Sequence, residues 1–285
     1  MALTIGDAFR ANAMLVTMTI KRFPLEVNDR VAAAAAETAG NAKRGSVRAV
    51  KNCLYTADAG WKNVSSELSL AYNLHRQATS EWGVSGGYRL LPNATWADYI
   101  AKVGAAQRKI DVARRKFEET YDADVATAMV ALGQYAPTAY PTAKEAGARF
   151  TLSVDFTPIA AGGAPVGLPE GADEWLSDRY AKRTASNADE ALDTVLERVK
   201  DYTTKLLANI NEDKRFRSTS LTNITDMVPM LRAFEFTGDQ RLTVLADGIE
   251  SQLGGYDFKS IKKDGKGALP QVQAVLDIMG SWGTP

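Results

Sequence analysis

Two stretches of the chain alternate apolar and polar residues with the period of a β-strand. In residues 14–20, Met14, Val16, Met18 and Ile20 point one way while Leu15, Thr17 and Thr19 point the other. The β-branched residues among them suit an extended backbone. In residues 149–157 the alternation is cleaner, and Pro158 stops it. There Phe150, Leu152, Val154 and Phe156 are expected inside, with Arg149, Thr151, Ser153, Asp155 and Thr157 outside. A small sheet pairing the two stretches is the expectation, with Tyr88–Leu91 as a short third strand.

Elsewhere the period is helical. Residues 59–82 read as a helix closed by Gly83. From 96 to 132, Trp96, Val103, Ile110 and Phe117 recur every seven residues, interleaved with Ile100, Ala106, Ala113 and Tyr121. In 187–210, Ala188, Leu192, Val195, Val199, Tyr202 and Leu206 alternate four and three, a narrow seam of coiled-coil type. Asn187 reads as its N-cap, with Glu190 completing a capping box. Two such seams pack most simply on each other as an antiparallel pair.

Three shorter helices follow. Residues 220–236 bury Leu221, Ile224, Val228 and Leu231, with a kink at Pro229. After a Thr237-Gly238-Asp239 turn, residues 239–253 bury Leu242, Leu245, Ile249 and Leu253. Pro270 opens a last helix through Val272, Val275, Leu276 and Met279. The predicted fold is α+β and mainly α: a long antiparallel helical hairpin, a small β-sheet and a C-terminal helical bundle. Breakers lie at 133–142 and at the Gly- and Pro-rich 160–171. The second separates residues 1–160, an α+β part with the small sheet and a long helix, from residues 170–285, an all-helical part expected to pack on it as one cooperative unit. No internal repeat is evident.

Composition narrows the chemistry more than the fold. The 285 residues are 45% apolar and 24% charged, with 34 basic residues balancing 34 acidic ones. That balance gives no global attraction to nucleic acid or an anionic membrane, so any such binding needs a local patch. One cysteine, Cys53, allows no internal disulfide and fits a reducing compartment. The apolar run Met14–Ile20 is seven residues long and follows Asp7 and Arg10, unlike a signal peptide. No run approaches the ~20 apolar residues that span a bilayer. The cytoplasm is therefore expected, and the sequons at Asn63, Asn93 and Asn223 carry no glycosylation message.

Gly83-Val84-Ser85-Gly86-Gly87 matches a nucleophile-elbow pattern, but a helix precedes it and a strand follows, the reverse of the order an elbow needs. The single histidine, His75, lies upstream of it, and alone it builds neither a metal site nor a proton relay. Gly162-Gly163-Ala164-Pro165-Val166-Gly167 lacks the lysine and helix start of a phosphate loop. Glu118, Glu119, Asp122 and Asp124 cluster in sequence, yet Asp122 and Asp124 lie about 200° apart around a helix. They read as a solvated face, with surface pairs such as Asp111 with Arg115. No catalytic residue, cofactor or metal ligand is expected.

Three basic runs remain as candidate interaction residues. Lys43, Arg44, Arg48 and Lys51 form one, with no acid between Thr38 and Ala57. Lys102, Arg108, Lys109, Arg114, Arg115 and Lys116 precede the acids of the 96–132 helix, against the preference of the helix macrodipole. Lys259, Lys262, Lys263 and Lys266 lie beside Tyr256 and Phe258. Cations next to aromatics suit single-stranded nucleic acid.

Several segments in succession carry a family resemblance. They are Gly87-Tyr88-Arg89-Leu90-Leu91-Pro92 before Trp96 and Tyr99, Lys116-Phe117 through Tyr121-Asp122, and Tyr140-Pro141. Then follow Ala148-Arg149-Phe150 through Val154-Asp155-Phe156-Thr157-Pro158, Phe216-Arg217 through Leu221, and Phe236-Thr237-Gly238-Asp239-Gln240-Arg241-Leu242. The order, over most of residues 14–250, resembles a domain-of-unknown-function family common in tailed bacteriophages and prophages. The resemblance implies no catalytic residues. It implies genes often near a MoxR-type AAA+ ATPase and a von Willebrand A-type protein like the cobalt-chelatase subunits. The expected function is a non-enzymatic phage protein of the host cytoplasm that works by protein–protein contact, as an adaptor for an AAA+ ATPase or through self-association, with no membrane partner. The alternatives are a single-stranded nucleic-acid-binding accessory of phage replication or recombination, and a virion or assembly component.

Overall fold

The computed structural model describes residues 4–54, 57–83, 87–160, 172–212, 219–256 and 265–282. The chain is mainly helical α+β, with long helices packed together, a small four-stranded antiparallel sheet and C-terminal helices. In chain order the first half is α1 (Ile5–Asn12), β1 (Ala13–Lys21), β2 (Glu26–Asn28), α2 (Arg30–Ala39), β3 (Val50–Asn52), α3 (Ala59–Ala78), β4 (Ser80–Glu81), β5 (Arg89–Pro92) and α4 (Trp96–Leu132). The second half is α5 (Ala143–Gly147), β6 (Thr151–Pro158), α6 (Ala172–Asn211), α7 (Thr219–Thr225), α8 (Val228–Ala233), α9 (Gln240–Leu253) and α10 (Gly265–Gly280).

The two alternating stretches become β1 and β6, neighbours in a sheet of order β4-β5-β1-β6. β5 pairs antiparallel with β1, Leu90 opposite Leu15 and Leu91 opposite Met14. A second, two-stranded sheet joins β2 to β3. Phe156, expected inside, is 38% exposed, and its ring meets the edge of Tyr99.

Contacts divide the chain into two compact units that interleave along it. One comprises residues 1–17, 76–99 and 155–285; the other comprises 18–75 and 100–154. In the first, α6 is the spine. Its seam of Ala188, Leu192, Val195, Val199 and Leu206 is buried with Phe9 of α1 and the apolar faces of α7 to α10. Asn187 does not cap this helix, because α6 runs back to Ala172 and places the residue mid-helix, its side chain against Gly83. Residues 220–236 form two helices, since Pro229 lacks the N–H to continue α7 and sits instead in the first turn of α8. Asp239 caps α9 by accepting from Arg241 N, as a turn before that helix requires. α10 starts at Gly265, ahead of Pro270, which lies within it.

In the other unit the seam of α4 finds its partner in α3, not in α6. Ile110, Phe117 and Tyr121 of α4 are buried with Val64, Leu68 and Ala71 of α3, and with Phe23 and Phe150. Phe117 contacts the rings of Phe150 and Tyr121 edge-on, with centroids 5.2 Å away in each case. Gly60 in the first turn of α3 allows this approach. A Cβ there would lie 3.3 Å from the Phe117 ring. Trp96, assigned to the seam by its heptad position, is 43% exposed. Gly133, at φ 52, ends α4 in the left-handed conformation glycine adopts without a Cβ penalty.

α3 stops at Ala78 rather than Trp82, because the chain turns into β4. Its last carbonyls are taken by two arginines. Arg198, midway along α6, donates to Gln77 O at 3.2 Å and Thr79 O at 3.1 Å. Arg89 of β5 donates to Thr79 Oγ1 at 2.6 Å, Thr79 O at 2.9 Å and Arg76 O at 3.3 Å.

Two outcomes test these contacts in urea unfolding. Phe117→Ala empties the centre of the aromatic cluster and is expected to cost about 3–5 kcal/mol. Arg198→Met removes charge-assisted bonds to carbonyls at a helix end, with an expected loss of about 1.5–3 kcal/mol.

Candidate functional site

The first basic run lies on a loop between α2 and β3 that is held from below. Glu37 of α2 is buried, and its Oε1 accepts from Gly45 N at 2.6 Å and Val47 N at 3.1 Å. Lys43, Arg44 and Arg48 on this pinned backbone are exposed, with no ion pair among the described residues. Lys51 differs from them. Its Nζ lies 3.3 Å from Asp29 Oδ2, and Asp29 also caps α2 by accepting from Val31 N and Ala32 N. Those backbone bonds, first that of Ala32, and the lysine hold the Asp29 carboxyl below its ordinary range.

The second run divides in the same way. Arg114 sits between Asp111, 3.4 Å away, and Glu118, 3.7 Å away, so Asp111 pairs with Arg114 and not with Arg115. Arg108, Lys109, Arg115 and Lys116 are exposed and form no ion pair among the described residues. At about 100° per residue these four lie on one face of α4, and Val112 stands at their centre. It is 43% exposed and is three or four residues from each cation. Beyond Glu119 the same face continues as Ala123, Ala126 and Val130, all exposed. The stripe from Arg108 to Val130 is about 33 Å long. The third run, Lys259, Lys262 and Lys263 beside Phe258, lies outside the described residues, as does the side chain of Lys266. So do residues 84–86 of the elbow-like pattern, the glycines at 162–167, and Phe216 with Arg217.

His75 is buried near the C-terminal end of α3, its ring 6.3 Å from that of Tyr72. Among the described residues no three His, Cys, Asp or Glu side chains gather to hold a metal ion. No described helix is long and apolar enough to cross a membrane.

Sequence reasoning missed a cleft of about 460 Å³ in the unit built from 18–75 and 100–154. Phe23, Val27, Pro137 and Tyr140 wall it, and Cys53, Glu145 and Arg149 lie at its edges. Tyr140 OH donates to Cys53 O at 2.8 Å, and Cys53 N donates to Leu25 O at 2.7 Å. Burial pushes the Cys53 thiol up, against the pull of Lys51, so the thiol is neutral at physiological pH. Next to these residues Tyr121 is buried, and its hydroxyl finds no hydrogen-bond partner among the described residues. Burial first, then Tyr140 and Cys53, push this phenol up to about 12.

Comparison of the chain with protein-family models, with curated proteins and with solved structures finds no match.

Tyr121→Phe removes a buried hydroxyl without a partner, so stability at pH 7 is expected to hold or to rise by up to about 1 kcal/mol. In the wild type the folded phenol ionises at a higher pH than the ordinary 10, so its contribution is intact below pH 10 and is lost as pH rises toward about 12. Unfolding midpoints followed from pH 8 to 12 should therefore fall less steeply at the alkaline end for the variant.

Proposed function

We propose that the chain acts by contact, and that the exposed stripe of α4 is its docking face for an acidic protein surface. The observation that carries this reading is the ring of four exposed cations around Val112, none of them ion-paired among the described residues. A solvated helix face gains most when acids and bases alternate at three- and four-residue spacings. Here the centre of four cations is an exposed valine. A complementary partner would bring carboxylates to the ring and an apolar side chain to its middle, raising both association rate and specificity. Together with the phage-family resemblance, this supports a non-enzymatic phage protein of the host cytoplasm, serving as an adaptor for an AAA+ ATPase of the MoxR type that genes of that family often neighbour.

Co-expression and pull-down with that ATPase tests the assignment. Retention by the wild type, and its loss when Arg108, Lys109, Arg115 and Lys116 are all changed to Glu, is the expected result. Absence of binding to a well-folded wild-type bait would remove the adaptor reading. Val112→Glu is the sharper variant. It supplies one carboxylate to all four cations, so the free protein should gain about 0.5–1 kcal/mol while partner binding weakens.

The same cations favour one second reading, a phosphate backbone. Single-stranded DNA should then bind with a steep salt dependence, and no binding at about 50 mM salt would end it.

A further inference from the structure

The cleft beside Cys53 has the ingredients of a small-molecule site. Its volume, about 460 Å³, lies within the range of ligand pockets. Its walls are set before any ligand arrives. The bonds from Tyr140 to Cys53 O and from Cys53 N to Leu25 O tie three lining segments together, and prolines 24, 137 and 141 stiffen them. Preformed walls spare the ordering cost of binding.

The polar edge is more specific. Arg149 lies two residues past the end of α5 and makes no ion pair among the described residues, although the bonds from Thr142 and then the nearby Arg149 hold the Glu145 carboxyl below its ordinary range. Glu145 turns back to close the capping box of α5, its Oε2 accepting from Thr142 N and Thr142 Oγ1 at 2.9 Å each. Arg149 instead lies over the face of Phe23, its guanidinium carbon 5.7 Å from the ring centroid. A guanidinium stacked on an aromatic ring and making no ion pair among the described residues keeps its two-pronged donor edge for an incoming acid. Glu145 at the same edge disfavours a second negative charge.

We infer that this cleft binds a small monocarboxylate with a flat aromatic body, the ring lying against Val27, Tyr140 and the prolines and the carboxylate on Arg149. The site is separate from the stripe of α4, so its failure would leave the docking reading standing.

The probe is 3-phenylpropionate, titrated into the full chain by calorimetry and ligand-observed NMR, with 3-phenylpropanamide as the uncharged analogue. Saturable binding of the acid is expected. It should weaken at least about tenfold in Arg149→Gln, as a lost bidentate carboxylate contact requires. Val27→Trp, which fills the cleft without touching the arginine, should abolish it while circular dichroism stays unchanged. If either variant unfolds, the wild-type comparison of acid with amide still decides. An amide that binds as tightly as the acid overturns the proposal. So do undiminished binding by Arg149→Gln and the absence of saturable binding up to about 10 mM acid, a concentration at which even a weak fragment of this size registers.

Discussion

The end of α3 runs into buried backbone at Thr79 and Ser80, and a carbonyl buried there cannot be left to water. Thr79 is fully buried, and no glycine follows Ala78 to close the helix on itself. The chain meets the demand with cations from distant places in sequence. Arg198 comes from the middle of α6 and Arg89 from β5, and both converge on the carbonyl of Thr79. Burial, and then the repulsion of Arg89, hold Arg198 below its ordinary range. Glu81 is 3.4 Å from Arg89 and largely exposed. Carbonyl dipoles at the negative end of a helix supply part of the compensation. Once those bonds are made, β4 can leave the helix at once, and Ser80 comes opposite Leu90.

Strand and helix periods in the sequence were sufficient to locate β1, β6, α4 and the buried face of α6, because each places one continuous apolar set on one side of an element. They could not name the partner. A stripe of buried residues is equally satisfied by any complementary face, and Phe117 found that face around Gly60 of α3 rather than on α6. The first four turns of α6 escaped notice for the opposite reason. Glu174, Ser177, Asp178, Arg179, Lys182 and Arg183 are all exposed, so that stretch carries no apolar period to read. Asn187 then resembled a cap because it precedes the first buried positions. The glycines and prolines of 160–171 mark a break in composition, whereas the two compact units are defined by contacts and pass the chain back and forth.

Candidate chemistry was legible only as residue type. The basic side chains of the three runs were visible in the sequence as interaction candidates, but whether each was available depended on neighbours that charge spacing does not fix. Lys51 is held by an aspartate that also caps α2, and Arg114 is held by acids one turn away on either side. The cleft was not legible at all. Phe23, Cys53, Tyr140 and Arg149 belong to four separated segments, and none forms a local motif. The alternation of 149–157 marks Arg149 only as an outward residue of a strand.

The docking reading proposed for α4 rests on the valine among its cations. Residue 112 is three or four positions from Arg108, Lys109, Arg115 and Lys116, the spacings at which an acid stabilises a helix by about 0.2–0.5 kcal/mol per pair. Exposing an aliphatic side chain there forgoes those pairs and leaves apolar surface in water. Neither loss is large, and neither threatens a unit whose core is the cluster around Phe117. Both would be recovered together, however, by a partner surface offering an apolar group within a ring of carboxylates. A membrane surface or a polyphosphate would satisfy the charges but not require the valine to stand at their centre.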